Sequence, residues 1–189
     1  MITTVERRYS LDEYRAIEEK AEGRNEYHDG EIVPMPGGSL NHSRIGRNIL
    51  TYLTYLLRDT QFEAINSDLR LYIPQHNQGV YPDVMVFDGE PQLNDNRKDE
   101  VLNPILIVEV LSPSTADYDR QSKFRMYRSI PSFCEYLLVE QDEVFIEKYS
   151  KQDQGWLLGD FNDLEKSIFL ESVGVELPIK EIYRSVSFG

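Results

Sequence analysis

Cysteine is almost missing from this chain. A single residue, Cys134, stands among 189, which excludes an internal disulfide framework and a cysteine-based zinc site and agrees with a reducing compartment. Cys134 lies in "FCEYLLV", a strand-like run where a thiol packs as a small hydrophobe rather than serving as a nucleophile. No run of eighteen apolar residues is present, so no segment reads as a membrane span. The start "MITTVERRYSLDEYRA" lacks the apolar centre of a signal peptide. The expectation is a cytoplasmic protein. Positive charge is also scarce: 20 Lys and Arg face 33 Asp and Glu, a formal net charge of −13. That balance argues against broad, sequence-blind attraction to a polyanion, which arises from arrays of Lys and Arg meeting phosphates. A confined basic patch remains compatible with it. The stretch from Asn41 to Arg58 carries Arg44, Arg47 and Arg58 and no acid, whereas Glu140 to Glu147 carries four acids and no base. Solvated surface is an equally good reading of both. The three histidines, His28, His42 and His76, are far apart on different elements and form no metal-ligand pattern. His28 and His76 read as solvated, and His42 as the start of a helix beside the basic stretch.

The length suits one well-cored domain over 1–189, with no Gly/Ser linker and no internal repeat. Ser10 and Glu13 form the S-x-x-E pattern of a capping box, predicting a helix through "LDEYRAIEEKA" to Gly23. In "NEYHDGEIVPM", Asp29-Gly30 is a favoured two-residue hairpin turn, which sets Tyr27 opposite Ile32 and Glu26 opposite Val33. "PGG" at Pro36 to Gly38 lacks the Gly-Lys-Ser/Thr ending of a nucleotide-binding loop and reads as a flexible connection. Ile45, Ile49, Leu53, Leu56 and Leu57 recur at helical spacing, predicting a long amphipathic helix from Ser39 or Asn41 to about Arg58. "EAINSDLRLYI" and "VYPDVMVF" read as strands. After "ILIVEVL", Pro113 ends a strand and Ser114 or Thr115 caps a helix to about Ile130. "CEYLLVE" and "EVFIEKY" form a hairpin across "QDE", and "GWLLGDF", "SIFLES" and "ELPIKEIY" read as further strands. The expected fold class is α/β or α+β, with one central mixed sheet flanked by helices.

"ILIVEVLSPST" poses the chemical question. Glu109 sits in an otherwise apolar strand whose two faces, Ile105, Ile107, Glu109, Leu111 and Leu106, Val108, Val110, are both oily, as in a central strand. A carboxylate taken out of water needs a partner. The preceding strand opens with Pro82-Asp83, so an Asp and a Glu would lie side by side at neighbouring strand ends. Two such acids repel unless a divalent cation lies between them, and hard oxygen ligands suit Mg²⁺ or Mn²⁺. A site of this kind hydrolyses phosphodiesters.

"YPDVMVF" followed by "PILIVEVLSPSTADYDRQSKFRMYRSIPSFCEYLLVE" resembles the restriction-endonuclease family called Uma-two, within the PD-(D/E)XK nuclease superfamily. "NEYHDGEIVPMPGGSLNH" is similar to that family's amino-terminal segment. The resemblance implies a restriction-endonuclease-like fold, Asp83 and Glu109 as Mg²⁺ or Mn²⁺ ligands, and DNA as substrate. The lysine expected two residues after the Glu is replaced by Leu111. Lys123, from the following helix, is the residue that the resemblance puts in its place, to position the attacking water and stabilise charge on the phosphate. Glu26 would be a further acid of the site. Cutting both strands of a duplex would be served by a twofold homodimer, by analogy only.

Duller readings stand beside these. Asp119 and Lys123 are four apart, acid first, as in a surface helical pair worth roughly 0.2–0.5 kcal/mol. Asp83 can simply shape the strand start after Pro82, and the hairpin alone explains Glu26. Glu109 can be a structural partner of Arg125, Arg128 or Arg70, and Tyr127 with Phe124 and Ile130 reads as core. The alternative function is a catalytically inactive member of the fold acting as an interaction module.

Overall fold

The computed structural model describes residues 7–188. Ser10 begins helix α1 (Leu11–Glu18) with both halves of its capping box formed, its side chain accepting from the Glu13 amide while Glu13 reaches back to the Ser10 amide. The helix stops one turn short of Gly23. The hairpin of β1 (Asn25–His28) and β2 (Glu31–Pro34) has the expected register, Tyr27 facing Ile32 and Glu26 facing Val33. Its turn requires positive φ at both central residues, and Asp29 (45°) and Gly30 (103°) supply it. Ser39 caps α2 (Leu40–Leu57), accepting from the His42 amide. Ile45, Ile49, Leu53 and Leu57 form its buried stripe, each adding about 1.5–3 kcal/mol of burial.

The central sheet has six strands in the order β11-β10-β9-β8-β6-β3. These are β3 (Phe62–Asn66), β6 (Val84–Asp88), β8 (Leu106–Leu111), β9 (Glu135–Glu140), β10 (Ile146–Gln152) and β11 (Gly155–Phe161). Only β8 and β9 run parallel. β8 is fully buried. Leu106, Val108 and Val110 pack with the α2 stripe on one face, while Ile107 and Leu111 join Met126, Tyr127 and Tyr136 on the other.

Two runs expected as single strands each divide between sheets. "EAINSDLRLYI" makes β3 and then, after a turn, β4 (Arg70–Ile73), while "VYPDVMVF" leaves β5 (Gln78–Val80), crosses at Tyr81-Pro82-Asp83, and becomes β6. Pro82 has no amide hydrogen to donate to a ladder, which suits it to the crossing point. A second, five-stranded sheet results, in the order β2-β1-β5-β4-β7, closed by the short β7 (Glu100–Val101). Gly79 lets Arg70 pass close over the strand, since a Cβ would lie 3.0 Å from Arg70 Cδ, tighter than side chains ordinarily pack. β12 (Ser167–Leu170) pairs with β13 (Val175–Pro178) in a small third sheet, after which "IKEI" turns helical at Ile179–Ile182 rather than extending the strand.

After Pro113 the chain forms α3 over residues 116–127, made of Ala116–Tyr118, a π-helical turn Asp119–Lys123, and Phe124–Tyr127. Thr115 holds the cap position without a side-chain capping bond, its hydroxyl meeting Ser112 Oγ instead, and the Thr115 and Ala116 amides donate to the Ser112 carbonyl. Among the described residues, no helix is long and apolar enough to cross a membrane.

Candidate active site

Strand register brings the two sequence-distant acids together. Val84 pairs with Val108 and Met85 with Ile107 in antiparallel sense, and one further step sets Asp83 against Glu109 at the β6–β8 ends. The Val110 amide donates to Asp83 Oδ2 at 2.8 Å. Glu109 points to the face covered by α3, where Asp119, Lys123 and Tyr127 recur every fourth residue and look inward. Turns widened to π geometry are frequent at functional positions. Tyr127 Oη donates to Glu109 Oε1 at 2.7 Å and Lys123 Nζ at 3.1 Å.

The Lys123 ammonium gathers three carboxylates: Asp119 at 3.0 Å, Glu109 at 3.1 Å and Glu26 at 3.6 Å. Lys123 is 6 % exposed and Asp119 2 %, so the pair lies inside, against the duller reading of a surface helical pair. Burial works against the lysine's charge, but Glu109, Glu26 and Asp119 more than offset it and hold its pKa well above the ordinary value. Burial pushes Glu109 up to about 8, against the pull of Lys123. Glu26 is held below the usual range, because Lys123 and His28 outweigh its burial. Asp119 Oδ1 is buried without a hydrogen bond; the lysine approaches it closely but is not aligned to donate.

Glu26 arrives by another route. β1 pairs with β5 through Tyr27–Gly79 and His28–Gln78, and β5 runs on through Tyr81 to Asp83, so the hairpin is held beside the crossing point. His28 is not solvated as expected. Its Nε2 lies 2.8 Å from Glu26 Oε2 and 3.3 Å from Tyr118 Oη, and its ring stacks on Tyr118. His42, in the first turn of α2, approaches Asp83 Oδ2 at 3.4 Å, and that carboxylate raises its pKa despite burial. Gln141 anchors this helix start to the strand, accepting from Ser39 Oγ and donating to the Leu111 carbonyl at 2.8 Å. None of the three arginines considered as partners of Glu109 reaches it: Arg70 is committed to Glu100 and Asp99, and Arg125 and Arg128 form no ion pair among the described residues.

Glu26, Asp83, Glu109, Asp119 and Lys123 open on a cleft of about 940 Å³ bounded by the β1–β2 hairpin, Pro36 to His42, Pro113 to Tyr118, and Gln141-Asp142. "PGG" thus forms a wall of the cleft. Its lining carries Glu26, Asp83, Glu109, Asp119 and Asp142, against Lys123 alone among lysines and arginines. The hydrogen bonds go to Asp83 Oδ2 and Glu109 Oε1, leaving the second oxygen of each carboxylate without one. With the side chains as they stand, no three His, Cys, Asp or Glu among the described residues close on one point. Mg²⁺ asks for only one or two protein carboxylates. The excess of hard oxygen donors over cationic side chains in the lining suits a divalent cation of the Mg²⁺ or Mn²⁺ kind. Asp119, which lines the cleft, was not among the candidate site residues, and Tyr127, core as its spacing with Phe124 and Ile130 suggests, also bonds Glu109. Their spacing from Lys123 is the signal that groups them.

The arrangement, acids at two adjacent strand ends with a helix lysine above them, is of the restriction-endonuclease-like class of mixed α+β folds. Residues 11–180 match the model of the Uma-two family, described as "Putative restriction endonuclease", and the chain belongs to that family. It is 42 % identical over 159 residues to the uncharacterized protein sll1609 of Synechocystis sp., covering 84 % of this chain and 90 % of that one. Similarity to slr1290 of the same organism is 38 % over 181 residues, covering 95 % and 93 %. The fold is similar to that of a crystal structure from Anabaena variabilis ATCC 29413 described as a "putative nuclease", with a TM-score of 0.74, 20 % identity, and coverage of 93 % of this chain and 97 % of that one.

Proposed function

We propose that this protein is a divalent-cation-dependent nuclease that hydrolyses DNA phosphodiester bonds in the cleft described above. Asp83 and Glu109 would hold Mg²⁺ or Mn²⁺, which when bound supplies Lewis-acid stabilisation of the phosphate and a more acidic attacking water. Lys123, reaching over the strand ends, orients the nucleophile and offsets charge growing on the phosphate oxygens. Asp119, Glu26 and Tyr127 hold that ammonium and the Glu109 carboxylate in place, and Glu26 adds acidity at the cleft wall. The observation that carries the reading is the convergence of Asp83, Glu109 and Lys123 from two strands and a helix on one solvent-reachable cleft. Family membership supports the same chemistry.

One observation favours the alternative of a non-catalytic module: Lys123 already compensates part of the carboxylate cluster without any cation. A cleavage assay separates the two. Wild type should cut DNA in Mg²⁺ or Mn²⁺ and stop in chelator, and Asp83→Asn should be inactive while still folded. Failure to cut any DNA form with either metal would favour the module.

A further inference from the structure

The outer face of α2 is not used by the site chemistry. Ile45, Ile49, Leu53 and Leu57 face the core. At about 100° per residue the opposite side of the helix is centred on Leu40, Arg44, Arg47, Thr51 and Arg58. The stripe starts at the cleft, since Leu40 lines its mouth and is 66 % exposed. Arg44 and Arg47 then stand about 4.5 Å apart along the axis, with Arg58 about 16 Å further on. Most arginines in this acidic chain are ion-paired, yet among the described residues Arg44 and Arg47 form no ion pair; Arg47 donates only to the Asn48 side chain. Arg58 makes an exposed pair with Asp59, of a kind worth little.

We propose that this stripe guides one unpaired DNA strand into the cleft, so that the substrate is single-stranded DNA rather than intact duplex. The assignment rests on the nuclease reading. Charge complementarity sets the form of the occupant. Phosphates need unpaired cations, and those beside the cleft lie in a single line on one helix. Within the cleft, five carboxylates face a lysine that already contacts three of them. A duplex would set its second backbone against those acids. A lone strand keeps its phosphates on the arginines, turns its bases toward the apolar rim of Leu40, Val33 and Met35, and brings no second backbone to the acids.

The test is fluorescence anisotropy in chelator, where nothing is cut, with a labelled 20-nucleotide DNA strand, its duplex, and the RNA strand of the same sequence. The wild type should bind the DNA strand more tightly than the duplex. Arg44→Glu/Arg47→Glu should weaken strand binding by about tenfold or more and reduce the salt slope by about 1.4, two contacts at about 0.7 each. Arg125→Glu/Lys180→Glu, with the same change in net charge on other exposed positions, should leave it nearly unchanged. Circular dichroism confirms that each variant is folded. Equal or tighter duplex binding, tighter RNA binding, no effect of the α2 reversal, or an equal effect of the control reversal would overturn the proposal. Strand binding through α2 without cleavage in Mg²⁺ or Mn²⁺ would sink the nuclease reading and leave this surface standing. Cleavage with a duplex preference would do the reverse.

Discussion

Replacing Lys123 by alanine is expected to destabilise the fold by about 3–5 kcal/mol, the usual cost of removing one member of a buried ion pair. The ammonium stands 3.0, 3.1 and 3.6 Å from Asp119, Glu109 and Glu26. At an effective dielectric constant of about 20, each contact with an ionised carboxylate has a Coulomb term of roughly 5 kcal/mol. Desolvation cancels most of that sum while the cluster is intact. Without the lysine, the three acids keep their burial and lose their compensation. For a chain of this size the loss corresponds to a fall in Tm of about 6–20 °C. Inactivity of Lys123→Ala alone would thus be ambiguous between lost chemistry and lost stability. Two controls resolve it. Adding Glu109→Gln should recover part of the stability, and a divalent cation at a hundred times its Kd should return about 2.7 kcal/mol, provided it binds only the folded state. Urea unfolding with and without Mg²⁺ reads all three. A Lys123→Ala protein within 1 kcal/mol of wild type would refute the reasoning.

Tyr127→Phe removes the 2.7 Å bond to Glu109 without changing the packing, and should cost about 1–3 kcal/mol in urea unfolding; an unchanged midpoint would show that the hydroxyl contributes nothing. Glu100 is fully buried between Arg15 and Arg70, and although burial raises its pKa, the two arginines more than offset that and hold it below the ordinary 4.5. A carboxylate with a depressed folded pKa stabilises the protein above its unfolded pKa and loses that contribution as pH falls through the folded value. Glu100→Gln should therefore cost about 3 kcal/mol or more at pH 7 and flatten the loss of stability below about pH 4.5, as measured by thermal unfolding at stepped pH. An acid limb as steep as wild type would contradict this.

Signals that depend on neighbouring residues were legible in the sequence. The Ser10–Glu13 box, the Asp29-Gly30 turn and the α2 stripe all formed as their local chemistry dictates. Two oily faces on β8 were enough to place Glu109 on a central strand. Sheet membership was not legible, because β-periodicity is the same on either side of Tyr81-Pro82-Asp83 while the chain changes partners there. "ELPIKEIY" carries both a strand-like alternation and a possible helical face, and packing against α2 decides for helix after Pro178. Asp119 is ambiguous in the sequence for a related reason. An i,i+4 acid–base pair looks the same in sequence whether it faces water or a strand, and only the fold shows that the row continuing to Tyr127 turns inward. His28 lies beside a turn, where solvation is the default, yet Tyr118, ninety residues away, covers it.

The most direct test of the cation account is Mn²⁺ titration followed by electron paramagnetic resonance, on wild type and on Asp83→Asn, a partly exposed position whose loss leaves the Lys123 cluster intact. One saturable site in wild type that vanishes in Asp83→Asn is the predicted result. No saturable binding to wild type, or equal binding to the variant, would contradict it.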